Sequence, residues 1–168
     1  VFVYTIWLKR KTPQNIVIGG ASGALPPVIG WAIATNSISL ESIAFFLIIF
    51  FWTPSHFWAL SLYKADDYKK AGIPMLPVTN GIQDTKKNIL IYSLLMIPTI
   101  VFPYYIGFVG EVFLTLSLLL TFYYNLICYQ LYNYKVGKFN IKKARHIFSY
   151  SIIYLFLIFV FFLVDKVL

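Results

Sequence analysis

Two adjacent carboxylates, Asp66 and Asp67, stand among Lys64, Lys69 and Lys70 in the stretch Lys64-Ala-Asp-Asp-Tyr-Lys-Lys70. Carboxylate oxygens are hard donors. Mg2+ typically takes one or two of them, keeps several waters and accepts phosphate oxygens from a substrate. Lysines around such a pair can neutralise the remaining phosphate charge and stabilise a departing diphosphate. The residue types fit metal-assisted chemistry on a diphosphate, with Asp66 and Asp67 as ligands and Lys64 beside them. They also fit a solvated loop of mixed charge, and the pair alone does not separate the two readings.

Upstream, Pro54 and His56 interrupt the apolar run Trp52-Thr-Pro-Ser-His-Phe-Trp-Ala-Leu-Ser-Leu-Tyr63. An ionisable ring inside an apolar helix faces a cavity or the interior of a bundle. His56 therefore reads either as a group that touches substrate or as one bonded to a neighbouring helix. His146, beside Arg145 where a later apolar run begins, reads as an interfacial residue. Lys9-Arg-Lys11 precedes Pro13, which suits a first helical turn, so this cluster reads first as a membrane-surface anchor. Gly19-Gly20 lacks the strand, the spacing and the Lys-Ser/Thr ending of a phosphate-binding loop. The single Cys128 excludes a disulfide framework within the chain and a paired-cysteine metal site.

The elements that must position these residues follow from composition. Sixty per cent of residues are apolar, 20% aromatic and 12% charged, against about 25% charged in soluble domains. A chain of 168 residues cannot hide that much apolar surface in its own interior, so much of it faces lipid. Five stretches reach the roughly 20 residues that cross a bilayer: 15–35, 40–62, 88–108, 112–133 and 147–164. The expected fold is all-α, a polytopic transmembrane bundle. The first span is rich in Gly and Pro, which membrane helices tolerate, and reads as either a continuous or a broken helix. Residues 1–8 read as the tail of a further helix.

With five spans, the basic stretches 9–11, 63–87 and 135–145 fall on one side and hold 13 of the 14 basic residues, Lys166 being the other. Such asymmetry places charged loops in the cytoplasm and the C-terminus outside. The net charge of +8 then belongs to a membrane surface and not to nucleic acid. Tyr104, Tyr105, Tyr123, Tyr124, Tyr150 and Tyr154 are expected as interface anchors or lipid-facing packing.

Three segments carry a resemblance. They are Leu8-Lys-Arg-Lys-Thr-Pro-Gln-Asn-Ile-Val-Ile-Gly-Gly-Ala-Ser-Gly-Ala-Leu-Pro-Pro-Val-Ile-Gly-Trp31, then Trp52-Thr-Pro-Ser-His-Phe-Trp-Ala-Leu60, then Asp66-Asp-Tyr68 with Ala71-Gly-Ile-Pro-Met-Leu-Pro-Val78. In order and spacing they resemble the protoheme IX farnesyltransferases (heme O synthases), a branch of the UbiA-type intramembrane prenyltransferases. The likeness covers roughly residues 4 to 81, and beyond it only hydropathy and span length match. It implies a nine-helix bundle in which residues 1–168 form the C-terminal part of one domain, helices five to nine plus the end of helix four. Two acidic motifs on cytoplasmic loops are implied to hold Mg2+ and a prenyl diphosphate. The second falls at Asp66-Asp67; the first lies outside this chain, so the chain alone is expected to be inactive.

The implied reaction moves a farnesyl group from farnesyl diphosphate to the 2-vinyl group of protoheme IX (heme B), giving heme O. Its implied setting is the lipid bilayer of a bacterial inner membrane, with heme A synthase acting downstream. The resemblance implies Lys9, Arg10 and Lys64 for the diphosphate, His56 for a heme propionate or the iron, and Tyr63 and Tyr68 along the path of the carbocation. In the wider family the second motif often holds two Asp four residues apart. Here Lys70 and Ala71 stand four beyond Asp66 and Asp67, which leaves open the carboxylate that holds metal. The alternative within the family is an enzyme acting on an aromatic quinone precursor, but the His-containing stretch 52–58 is similar to the heme branch. A non-catalytic transporter subunit would show mid-span charges and pseudo-repeats; the chain has few of the former and no evident repeat.

Overall fold

The computed structural model describes residues 12–134 and 141–167. Lys9, Arg10 and the expected N-terminal helix tail lie outside them. Among the described residues every regular element is a helix: α1 (Asn15–Thr35), α2 (Leu40–Tyr63), α3 (Ala65–Lys70), α4 (Leu76–Thr79), α5 (Gly81–Tyr105), α6 (Glu111–Tyr132) and α7 (Ile141–Val167). The five longer ones are long and apolar enough to cross a membrane, and the chain is that of an integral membrane protein.

α1 is one continuous helix despite Pro26 and Pro27, and ends where Asn36 takes a left-handed conformation with φ 52°, which asparagine tolerates at a helix C-terminus. α5 and α7 begin at Gly81 and Ile141, each about two turns ahead of the apolar stretch that marks it in the sequence. Those leading turns carry Lys86, Lys87, Lys142 and Lys143. Lysines lower the hydropathy of a window without breaking its helix.

α2 is the hub. It packs against α1, α5 and α7, while α5 packs on α6 and α6 on α7. Thus α2, α5, α6 and α7 close a four-helix ring, and α1 lies against α2 alone among the described helices. In a bilayer lipid is as apolar as leucine, so helices associate through close packing and interhelical hydrogen bonds of about 0.6 kcal/mol each. The ring supplies such bonds. Ser55 Oγ and Tyr124 Oη are 2.8 Å apart, Thr121 Oγ1 and Tyr154 Oη 2.9 Å, and the Ser93 hydroxyl donates to Asn125 Oδ1 at 3.0 Å. Tyr124 and Tyr154 are therefore fully buried between helices and do not face lipid, whereas Tyr105 is largely exposed.

At the end of the ring with few charges, Asp165 of α7 accepts the backbone N–H groups of Gly110 (2.7 Å) and Phe113 (3.1 Å). These are orphan donors at the N-terminus of α6. The neighbouring Lys166 donates to the carbonyl of Phe108 and lies 4.5 Å from the centre of its ring.

Candidate active site

Between α1 and α2 lies a cavity of about 460 Å3, bordered at one end by Tyr68 of α3 and by Ile73 and Met75 of the turn that follows. α1 contributes Asn15, Gly19, Gly20 and Gly23; α2 contributes Trp52, Thr53 and Phe57. Residues 15–23, 52–57 and 68–75 belong to three separate stretches of sequence, and the fold brings them to one space.

The cavity depends on glycine. A Cβ on Gly20 would lie 3.2 Å from Thr53 Cγ2, so α1 sits against α2 with only a hydrogen between them at that point. Just beside it Pro54 has no N–H to offer the carbonyl of Phe50, and the Thr53 hydroxyl turns back to the carbonyl of Ile49 at 2.7 Å. Gly23, one turn along α1, has nothing within 4 Å of the Cβ it lacks, and its bare backbone leaves room in the wall.

Asp66 and Asp67 fall in the first turn of α3, where carboxylates are favourable to the helix dipole. Both are exposed. Successive residues are about 100° apart around a helix axis and do not face each other. Asp67 turns back to Lys64, whose Nζ lies 3.0 Å from Oδ2. That hydrogen bond and charge hold its carboxyl below the usual aspartate range. Asp66 has no ion pair among the described residues.

Two solvent-facing carboxylates near a cavity suit the one or two that Mg2+ takes when a substrate supplies phosphate oxygens. No group of three or more His, Cys, Asp or Glu side chains placed to hold a metal ion occurs among the described residues.

Tyr68 adjoins Asp67 and reaches the cavity wall, and burial raises the pKa of its phenol. Tyr63 points elsewhere: its ring meets Phe148 edge-on at 6.2 Å and carries the Arg145 guanidinium 5.3 Å from its centre. His56 is not part of the cavity wall. Its ring is stacked between Trp52 at 4.3 Å and Phe148 at 4.6 Å, with Nδ1 2.6 Å from Ser151 Oγ on α7. Trp52 thus stands between the histidine and the cavity. Ser151, Thr53 and Asn15 are site neighbours that residue type did not single out. The spacing of Gly19, Gly20 and Gly23 was the available signal for the α1 wall.

Residues 1–153 match the model of the UbiA prenyltransferase family. The chain belongs to that family. Its curated relatives include the protoheme IX farnesyltransferase of Pelagibacter ubique, 76% identical over the whole chain and 55% of that protein. Those of Parvibaculum lavamentivorans and Azorhizobium caulinodans are 49% and 52% identical over 99% and 95% of the chain, and 52% of each relative. The chain spans about half the length of the curated relatives it matches. No solved structure matches it.

The cavity wall is mostly apolar, and α3 contributes Tyr68 to it, whereas Lys64, Asp66 and Asp67 are not among its lining residues.

Proposed function

We propose that this chain is the C-terminal part of an enzyme that farnesylates heme B at its 2-vinyl group to give heme O. One observation carries the reading: the three segments that resemble heme O synthases meet around one cavity. The relatives' names point the same way.

In this reading farnesyl diphosphate lies with its head group at α3 and its chain along Gly20, Gly23, Trp52 and Phe57. Asp66 and Asp67 would hold Mg2+, which would supply positive charge to the leaving diphosphate. Lys64, Lys9 and Arg10 add positive charge to the same group. The C1–O bond of the allylic diphosphate breaks, and the electron pair leaves with the diphosphate. The vinyl group then attacks C1 through its terminal carbon, leaving a cation on the carbon next to the porphyrin ring. Water adds there and loses a proton, giving the hydroxyethylfarnesyl group. Tyr68 faces the cationic stage with its ring.

The charge asymmetry supports a cytoplasmic face at α3 and an outer face at the α5–α6 turn, in a bacterial inner membrane. Heme A synthase would consume the product.

Purified full-length protein in lipid should convert heme B to heme O with farnesyl diphosphate and Mg2+, and leave 4-hydroxybenzoate unprenylated. A quinone precursor accepted in preference to heme would move the chain to another branch of its family.

A further inference from the structure

The proton of the Ser151 hydroxyl has one place to go. Its Oγ lies 2.6 Å from the carbonyl oxygen of Phe148, which can only accept, and 2.6 Å from His56 Nδ1. A hydroxyl has one hydrogen to donate and accepts through its lone pairs. With that hydrogen on the Phe148 carbonyl, the second contact must be Nδ1–H of His56 donating to Ser151 Oγ. No carboxylate is among the described partners of the ring, and a charge within a span is expensive, so the imidazole is neutral. A neutral imidazole has one N–H and one acceptor nitrogen. The acceptor is Nε2.

The ring has little freedom to escape this arrangement. Trp52 and Phe148 clamp its two faces, and the Trp52 indole N–H donates to the backbone carbonyl of Ser151 itself at 2.8 Å. One residue of α7 therefore anchors both the histidine and the indole stacked on it. Nε2 finds no hydrogen-bond partner among the described residues, yet it is not one of the fully enclosed unpaired atoms. A bare lone pair remains available within the bundle.

We propose that Ser151 is a positioning residue, which holds His56 as the Nδ1–H tautomer and presents Nε2 as an electron-pair donor to heme iron and not to a heme propionate. This rests on heme being the substrate. A propionate is an acceptor and needs a donor, which Nε2 in this tautomer is not. Iron needs the lone pair, and a hydrogen bond from the opposite nitrogen is how metal-binding histidines are oriented and made more basic.

The tautomer can be read without heme, by 15N NMR of histidine-labelled full-length protein in lipid nanodiscs, with His56→Gln supplying the assignment. The expected result is a protonated, pyrrole-type Nδ1 and an unprotonated Nε2. Ser151→Ala should move the ring toward the Nε2–H form, and Ser151→Thr, which keeps the hydroxyl, should restore it. An unprotonated Nδ1 in the unmodified protein overturns the proposal.

Porphyrin binding then tests the partner, using hemin and iron-free protoporphyrin IX, which carry the same propionates. His56→Gln and Ser151→Ala should weaken hemin by about tenfold or more, the range for loss of a ligand's supporting bond, and leave the iron-free porphyrin within about twofold. Equal weakening of both would replace iron by propionate and overturn the assignment. If the unmodified protein binds neither porphyrin, the heme reading itself falls, an outcome distinct from a wrong tautomer.

Discussion

Asp66 and Asp67 share a turn of α3 but not an environment, because Asp67 turns back to Lys64 and Asp66 has no ion pair among the described residues. If they were ordinary surface charges, replacing either by Asn would change stability by at most about 0.5 kcal/mol and leave turnover alone. As ligands of a metal that draws off diphosphate, each should matter. We expect Asp66→Asn and Asp67→Asn in the full-length protein to lower turnover at least about 100-fold, roughly 2.7 kcal/mol of barrier, at unchanged expression. Near-normal heme O production by both variants would remove the metal assignment.

Asp67 also makes a pH prediction. Lys64 holds its carboxyl below the usual range, so the carboxylate persists as pH falls past the point where an unperturbed aspartate protonates. What it contributes is present above the unfolded-state value and is lost only as pH falls through the lower folded one. Lys64→Ala should therefore move the acid limb of the kcat/KM profile to higher pH, and an unmoved limb would show that this pair does not reach the rate. The sequence made these residue types legible. It could not say which carboxylate was engaged, since that depends on the rotation of one helical turn. The burial of Tyr124 and Tyr154 was hidden for the same reason: an apolar helix that faces lipid on one side and protein on the other shows no hydrophobic contrast between them.

Among the elements, α1 and α2 hold the greatest sensitivity to small changes. Gly20 touches Thr53 where a Cβ would already press, while Gly23 faces open space. Gly20→Leu should force the two helices apart, and Gly23→Ala should fit without moving them. We expect the former to lower the thermal midpoint in detergent and abolish farnesyl transfer, and the latter to keep the wild-type midpoint. Equal behaviour of the two would mean that the α1–α2 crossing is not the tight point. The number of long helices and the bounds of α1 could be read from hydropathy, whereas the short α3 and α4 could not. The early starts of α5 and α7 could not, because lysines mask a helix from a hydropathy window without ending it.

Across the whole molecule, the ring of α2, α5, α6 and α7 has one end rich in charge and one nearly free of it. Asn80 and Glu111 lie at opposite ends of the α5–α6 pair, and both are exposed. Asn80→Cys in the full-length protein should react with an impermeant thiol reagent from the cytoplasm and Glu111→Cys from outside; labelling from one side would overturn the span count. Which helices neighbour one another was beyond the sequence, since nothing in five apolar stretches says that α2 is the hub.

At the far end, Asp165 satisfies the N-terminus of α6 and Lys166 the carbonyl of Phe108. Those two residues leave the ribosome after almost everything they hold together. Until they arrive, the N–H groups of Gly110 and Phe113 lack the partner they have among the described residues, and α7 is not yet in place to join α6 to α2. During synthesis α2, α5 and α6 therefore make up an open arc, and among the described helices it is α7, the last of them to be made, that closes it.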